Sequence, residues 1–401
     1  MPNSFTVLDG AMGTLLASRL GPNANEQWAA LNAPEVLTQI HRDYIEAGSR
    51  IVYAATFGSN RYKAAYPIEG TVPAALEAAR RAGGARVALD VGPTGKMVGP
   101  LGDISFSEAY DAFSELIRLS AGADLIVIET MFDLGELRAA ILAARENSDL
   151  PVYCTMSFGP GGHSLTGCSI PGFVLTAQSL GVSALGLNCS LGPKEMGVML
   201  NEVSCWTDVP MISKPNAGMP DPVTGQYNVS PAEFARMCSK TAFCGAELLG
   251  GCCGTSPDYI AALCDELSKL SPKEHPHPDR SEYICCASSA IAPGNCKTCE
   301  LTDIPSAPEY LEDCDYSSLA EAAMELECGA VTFRLDGLAS PAHAFSAVEE
   351  MQGLIQKPFI FRTGSTEMLE SALRACTGRS GAECSSGEAR LTAQKYGAVL
   401  L

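Results

Sequence analysis

Positive charge is what this sequence has least of: 27 Lys and Arg stand against 46 Asp and Glu in 401 residues, a net charge of -19. Nucleic acids and anionic membrane surfaces both call for a basic face, so neither is an expected partner. Also missing is any uninterrupted apolar run approaching the ~18 residues of a membrane span. The first residues, Met1-Pro-Asn-Ser-Phe-Thr6, carry neither the basic nor the apolar stretch of a signal peptide. A cytoplasmic protein is the expectation.

Cysteine is the opposite case, with 17 in the chain. Disulfide frameworks belong to short secreted domains with little core, whereas a long chain with 46% hydrophobic residues can bury a large one, so reduced thiols are expected. The adjacent pair Cys252-Cys253 lies within Glu247-Leu-Leu-Gly-Gly-Cys-Cys-Gly254. Neighbouring Cα atoms are ~3.8 Å apart, below the usual disulfide span, so the two cannot easily bridge each other. They can share a metal ion. Zinc accepts thiolates in a tetrahedron, and Gly250, Gly251 and Gly254 let the backbone turn tightly enough to aim both sulfurs at one point. Cys189, which ends the apolar run Ala184-Leu-Gly-Leu-Asn-Cys189, is the best-placed third ligand. Three thiolates with one exchangeable position describe a catalytic zinc. Core cysteines, buried as small hydrophobes, are the plainer alternative.

Eight short apolar runs, at 6–8, 50–53, 86–89, 125–128, 152–156, 184–187, 210–213 and 247–249, alternate with helix-like stretches such as 33–46 and 134–144. Eight βα units in roughly 250 residues specify an α/β fold of the (β/α)8 TIM-barrel type. Such a barrel carries its functional side chains where the strands end. Asp9, Thr56, Asp90, Glu129, Cys189, Asn216 and the Cys252-Cys253 pair all fall there.

Six stretches hold these residues: Leu8-Asp-Gly-Ala-Met-Gly-Thr14, Thr56-Phe-Gly-Ser-Asn-Arg61, Ile128-Glu-Thr-Met131, Gly186-Leu-Asn-Cys189, Lys214-Pro-Asn-Ala-Gly218 and Gly250-Gly-Cys-Cys-Gly-Thr255. Together and in this order they resemble the homocysteine S-methyltransferase family, closest to the homocysteine-binding barrel of cobalamin-dependent methionine synthases. The resemblance implies methyl transfer to the thiol of homocysteine, giving methionine. It implies Cys189, Cys252 and Cys253 as ligands of Zn2+, with Asn216 near the fourth position. A thiol of pKa ~8.5 is mostly protonated near pH 7, and coordination to zinc deprotonates it. Asp9 and Glu129 would pair with the substrate ammonium, and backbone N–H groups of Gly10, Ala11, Met12 and Gly13 would hold its carboxylate. Thr56 would belong to the same substrate site. One departure is Ala54-Ala-Thr-Phe57, where the family usually has Thr-Asn-Thr-Phe, which removes a polar contact. Read alone, Gly10-Ala-Met-Gly13 is a tight turn, Asn216 a turn residue after Pro215, and Glu129 a helix-capping acid.

Leu270-Ser-Pro-Lys-Glu-His-Pro-His-Pro-Asp279 is Pro-rich and charged. It reads as part of a linker over 271–282, between a barrel at 1–270 and a second domain at 283–401, with His275 and His277 as solvated connector residues. Residues 283–401 resemble the early part of a pterin-binding barrel, with strands in 329–336, 357–364 and 395–401. The expected result is a smaller C-terminal α/β half-barrel-like domain about four strands long. Its folate contacts are not kept: Arg334 and Arg362 stand where acids belong, and Cys299-Glu-Leu-Thr-Asp303 replaces Gly-Glu-Arg-x-Asn. An open half-barrel exposes an apolar face and an edge strand. A second copy in a homodimer, a complementing polypeptide, or the first barrel itself would have to cover them. Cys296-Lys-Thr-Cys299 has the spacing of a zinc knuckle or redox pair but no second such pair, and Cys285-Cys286 lacks a matching third thiolate.

The Asp-x-His-x-x-Gly run of a cobalamin-binding domain is absent from the sequence. The resemblance therefore implies methylcobalamin presented by a separate corrinoid protein docking at the barrel mouth. A small donor, S-methylmethionine, betaine or S-adenosylmethionine, is the enzymatic alternative. A non-catalytic zinc- and homocysteine-binding protein is the other.

Overall fold

The computed structural model describes residues 4–99, 102–221, 223–272 and 279–401. His275 and His277 lie outside the described residues. Eight parallel strands form where the apolar runs predict them: β1 Thr6–Val7, β2 Ile51–Tyr53, β3 Arg86–Val91, β4 Leu125–Met131, β5 Val152–Met156, β6 Ala184–Asn188, β7 Met211–Lys214 and β8 Ala246–Leu249. Their order is β1-β8-β7-β6-β5-β4-β3-β2, and a bridge from Leu8 to Ile51 joins the two ends. The sheet is thereby a nearly closed barrel, with helices between successive strands.

The helices follow from local sequence. Helix Pro34–Glu46 opens on Pro at its first position and buries Leu37, Ile40, His41 and Tyr44, the spacing of a single helical face. Helix Phe106–Ile117 opens on a capping box in which Ser105 and Glu108 satisfy each other's backbone N–H groups.

Strand parity then decides what the barrel encloses. Ile51, Tyr53, Ala88, Leu125, Val127, Ala184, Ile212 and Leu248 form one apolar cluster. Their odd partners Val52, Val87, Leu89 and Ile126 pack outward against the helices. Continuing the inward series by two residues reaches Asp90 on β3, Glu129 on β4 and Lys214 on β7, all buried. Charge is thus carried into the upper layer of the barrel, above an apolar plug, by the period of the pleat.

After the barrel comes an antiparallel hairpin, β9 Ile284–Cys285 with β10 Ala290–Ile291, and a second parallel sheet. That sheet is β11 Thr298–Glu300, β12 Ala330–Arg334, β13 Phe359–Arg362, β14 Gly381–Glu383 and β15 Val399–Leu400, in sequential order. It has five strands where about four are expected, and it is not left open. Val331, Phe333, Phe359, Phe361 and Ala382 on one face join the same core as the barrel helices. On the other face Ala330, Ile360 and Val399 are covered by Ile284 and Ile291 of the hairpin. Nearer the strand ends, Glu300, Arg334, Arg362 and Glu383 form a chain of ion pairs. Arg334 and Arg362 therefore neutralise acids of their own sheet. Of the covers that the sequence leaves open, packing on the first barrel is the one these residues show.

Contacts with the first barrel complete the cover. Arg138, 1% exposed, donates to the carbonyl oxygens of Leu373 at 2.6 Å and Arg374 at 2.7 Å. Arg374 in turn pairs with Glu146 at 3.1 Å and lies over the Tyr110 ring. Ser169 donates its N–H to the Ala287 carbonyl at 2.9 Å. Replacing Arg138 by Met strands two buried carbonyls and is expected to cost about 2–3 kcal/mol. Urea denaturation of the full chain measures this, and an unchanged midpoint would show that Arg138 does not hold the two sheets together.

Candidate active site

The thiols predicted to meet do meet. Cys189 follows β6 and Cys252-Cys253 follows β8, and the three Sγ atoms lie within 4.8 Å of one another, with Cys189 and Cys253 3.8 Å apart. They are the one group of three or more His, Cys, Asp or Glu ligands so close among the described residues. Backbone geometry aims them. Cys189 sits at φ +58° and Ser190 at φ +56°, left-handed values unusual for non-glycine residues. Asn188 braces this bend: its Oδ1 accepts from Thr130 N–H and Thr155 Oγ1, both at 2.9 Å, and its Nδ2 donates to Thr130 Oγ1. On the other side Asn216 Oδ1 accepts the Cys253 N–H at 3.1 Å, and Cys252 N–H bonds the Pro215 carbonyl at 2.8 Å. Gly254 is required between these contacts. It has φ +78°, and a Cβ there would fall 2.4 Å from the Tyr227 ring.

Three thiols at this spacing cannot all ionise unaided. Hydrogen bonds from Cys189 and Cys252 hold the Cys253 thiol down to about 3. Hydrogen bonds with Cys189 and Cys253, together with burial, push Cys252 well above the usual thiol range. One thiolate is thus stabilised by two neutral neighbours. A cation among the three sulfurs would release the rest.

Beside the thiols lies a cavity of about 370 Å³, lined by Asp9, Gly10, Ala11, Met12, Gly13 and Glu129 among others. The predicted glycine-rich turn leads into helix Met12–Leu20, whose start has neither a side-chain cap nor an acidic residue in its first turn. Its first N–H groups therefore keep their capacity for an anion, although the Ala11 N–H is already given to Thr255 Oγ1 at 3.2 Å.

Two predicted substrate contacts are arranged differently. Thr56 is fully buried, and its hydroxyl donates to the Asp90 carbonyl at 2.8 Å while accepting the Asp90 N–H at 3.0 Å. It fastens β3 rather than offering a free hydroxyl. Asp9 and Glu129 come together as expected, but around Lys214, which sequence reasoning missed. Lys214 Nζ is 3.3 Å from Asp9 Oδ1, 3.4 Å from Glu129 Oε2 and 3.6 Å from the centroid of the Tyr53 ring. Burial opposes its charge, yet Glu129, Tyr53 and Asp9 hold its pKa well above the usual lysine value. Burial raises Asp9 to about 6 in spite of Lys214.

Residues 6–267 match the sequence model described as homocysteine S-methyltransferase. The chain belongs to the homocysteine S-methyltransferase family. Among the relatives of this chain are the methionine synthases of Mycobacterium leprae (strain TN), 32% identical over 304 residues, and Mycobacterium tuberculosis (strain ATCC 25618 / H37Rv), 32% identical over 298. The alignments cover 68% and 66% of this chain but 25% of each relative, so the match spans about a quarter of their length. The homocysteine methyltransferase MmuM from Escherichia coli shares the barrel fold. Its oxidized form superposes with a TM-score of 0.56 at 24% identity, covering 65% of this chain and 95% of that one. Its metallated form gives 0.54, covering 96% of that chain.

The unequal thiols make a chemical prediction. In metal-free protein at pH 5, iodoacetamide should modify Cys253 ahead of Cys205 and Cys314, although those two are the more exposed. Peptide mass spectrometry reads the sites. Labelling that follows exposure alone would mean that Cys253 is not the ionised member.

Proposed function

We propose that this protein transfers a methyl group to the thiol of homocysteine, with zinc held by Cys189, Cys252 and Cys253 and the methyl group supplied by a separate methyl-corrinoid protein. One observation carries the reading. A tetrahedral zinc with bonds of about 2.3 Å to sulfur has sulfur–sulfur edges of about 3.8 Å, and Cys189 and Cys253 are 3.8 Å apart. The donor set fits a three-thiolate site next to an amino-acid-sized cavity, which supports the metal and the acceptor together. Zinc when bound supplies deprotonation of the acceptor thiol near neutral pH.

The remaining work falls to the chain. The uncapped helix start at Met12–Leu20 receives the acceptor's carboxylate. Asn216 secures the turn that presents Cys253. Lys214 brings a positive charge that is felt at Cys252, offsetting part of the negative charge that three thiolates accumulate.

The reading is tested by following methionine formed from homocysteine and free methylcobalamin, with zinc measured in the same samples. Turnover is expected to fall by roughly 100-fold or more when zinc is removed or when Cys252 is replaced by Ala. Turnover in zinc-loaded protein with S-methylmethionine, but not with methylcobalamin, would overturn the corrinoid donor and keep the acceptor chemistry. No turnover with either, nor with betaine or S-adenosylmethionine, would overturn catalysis.

A further inference from the structure

Between β7 and helix Pro231–Phe243 the chain makes a return that ends on the thiols. Pro220 bridges Tyr227, and the Gln226 carbonyl accepts the Asp221 N–H at 2.8 Å. The Val229 carbonyl accepts the Tyr259 hydroxyl at 2.7 Å, which ties the returning arm to the next helix. Gly218 permits the close approach of the two arms: its φ is +89°, and a Cβ there would fall 2.5 Å from the Val229 side chain. The arm so fixed lays the Tyr227 ring on Gly254, the residue after Cys253, with its Cγ and Cδ2 2.4 and 2.5 Å from where a Gly254 Cβ would stand. From that seat the Tyr227 hydroxyl donates a hydrogen bond to the Cys253 sulfur. Tyr227 is not part of the cavity wall that Asp9, Met12 and Glu129 help to form. It meets Cys253 on a different flank from the one that faces the acceptor.

Of the hydrogen bonds to the Cys253 sulfur, those from Cys189 and Cys252 do not outlast a metal. The two thiols donate only while they keep their protons, and zinc removes those protons. A phenol keeps its own near neutral pH. Tyr227 is then the side-chain donor left to Cys253. The need for one follows from the chemistry. A site that ionises one sulfur for methylation holds three ionised sulfurs of its own, and each thiolate is a nucleophile. Attack by Cys253 on the methyl carbon would form an S–CH3 bond and break the bond from that carbon to its leaving group, which departs with the electron pair. The product, S-methylcysteine, is a neutral thioether with no charge to hold zinc. A hydrogen bond to the sulfur opposes this step, because it occupies electron density that the attack requires.

We propose that Tyr227 is a positioning residue that protects Cys253 from methylation, its hydroxyl bound to the Cys253 sulfur and its ring seated on Gly254, so that the methyl group passes to the acceptor's sulfur instead. The inference rests on Cys189, Cys252 and Cys253 holding zinc, and on no particular methyl donor.

Methyl iodide on the full, zinc-loaded chain tests this. Peptide mass spectrometry reads S-methylcysteine at each position, and samples are matched for zinc before the reaction. Tyr227→Phe leaves a ring on Gly254 and removes the hydroxyl alone, so a role in packing only would not move the readout. Methylation of Cys253 is expected to rise about 10-fold in that variant, the worth of one hydrogen bond to a charged group, while Cys189 and Cys252 change by less than about 2-fold. Zinc release to a chelator should quicken in step with Cys253 methylation. An unchanged rate at Cys253 would overturn the proposal. So would an equal rise at all three cysteines, which marks a loosened site and not a lost donor. If the wild type takes up no zinc, the metal reading itself fails, and the role of Tyr227 with it.

Discussion

Everything at this site depends on bringing three thiol groups within 4.8 Å of one another inside a folded chain. Sulfurs at that distance repel one another once ionised, and the chain alone supports a single thiolate, on Cys253. The fold accepts this arrangement because two strand ends, β6 and β8, converge on β7 between them. Residues at and just after the end of β7 then tie both cysteine segments: the Lys214 carbonyl accepts from Cys189 N–H, the Pro215 carbonyl from Cys252 N–H, and Asn216 from Cys253 N–H. The backbone cost at Cys189 and Ser190, both left-handed, is offset by Asn188, whose amide makes three hydrogen bonds. A site held from both sides is suited to a metal whose geometry must not relax.

Strand parity accounts for the second charged assembly. A closed barrel sends every other residue inward, so an inward series that starts with Ile212 must place Lys214 inside, as one starting with Val127 places Glu129. A lysine in that layer requires counter-charges, and Asp9 and Glu129 supply them. Asp90 is delivered by the same rule, but its Oδ1 receives no hydrogen bond among the described residues. The pocket's polarity is thus uneven, paired near β7 and unpaired near β3.

Much of this was legible in the sequence, for reasons that can be named. The eight barrel strands are continuous apolar runs, as strands buried on both faces must be, and each begins or ends beside a turn residue. The cysteine trio was legible because adjacent cysteines have few uses besides a shared ligand. Lys214 was missed because a lysine at a strand end ordinarily reaches solvent; counting two residues on from Ile212 would have placed it inside. Thr56 was legible as a strand-end polar residue, but its hydroxyl serves the Asp90 backbone, a tertiary contact that no local pattern announces. β14, Gly381–Glu383, escaped notice because Gly-Ala-Glu has no apolar run. Cover for the second sheet was open in sequence, since it depends on contacts such as Arg138 with the Leu373 carbonyl, 235 residues away.

The central claim is that these three cysteines form a zinc site for a thiol acceptor. X-ray absorption at the zinc edge tests it most directly. The account predicts three sulfur neighbours at about 2.3 Å in the protein as purified, with the sulfur count rising by one when homocysteine is added. Zinc that is absent, or surrounded chiefly by nitrogen and oxygen and indifferent to homocysteine, would contradict it.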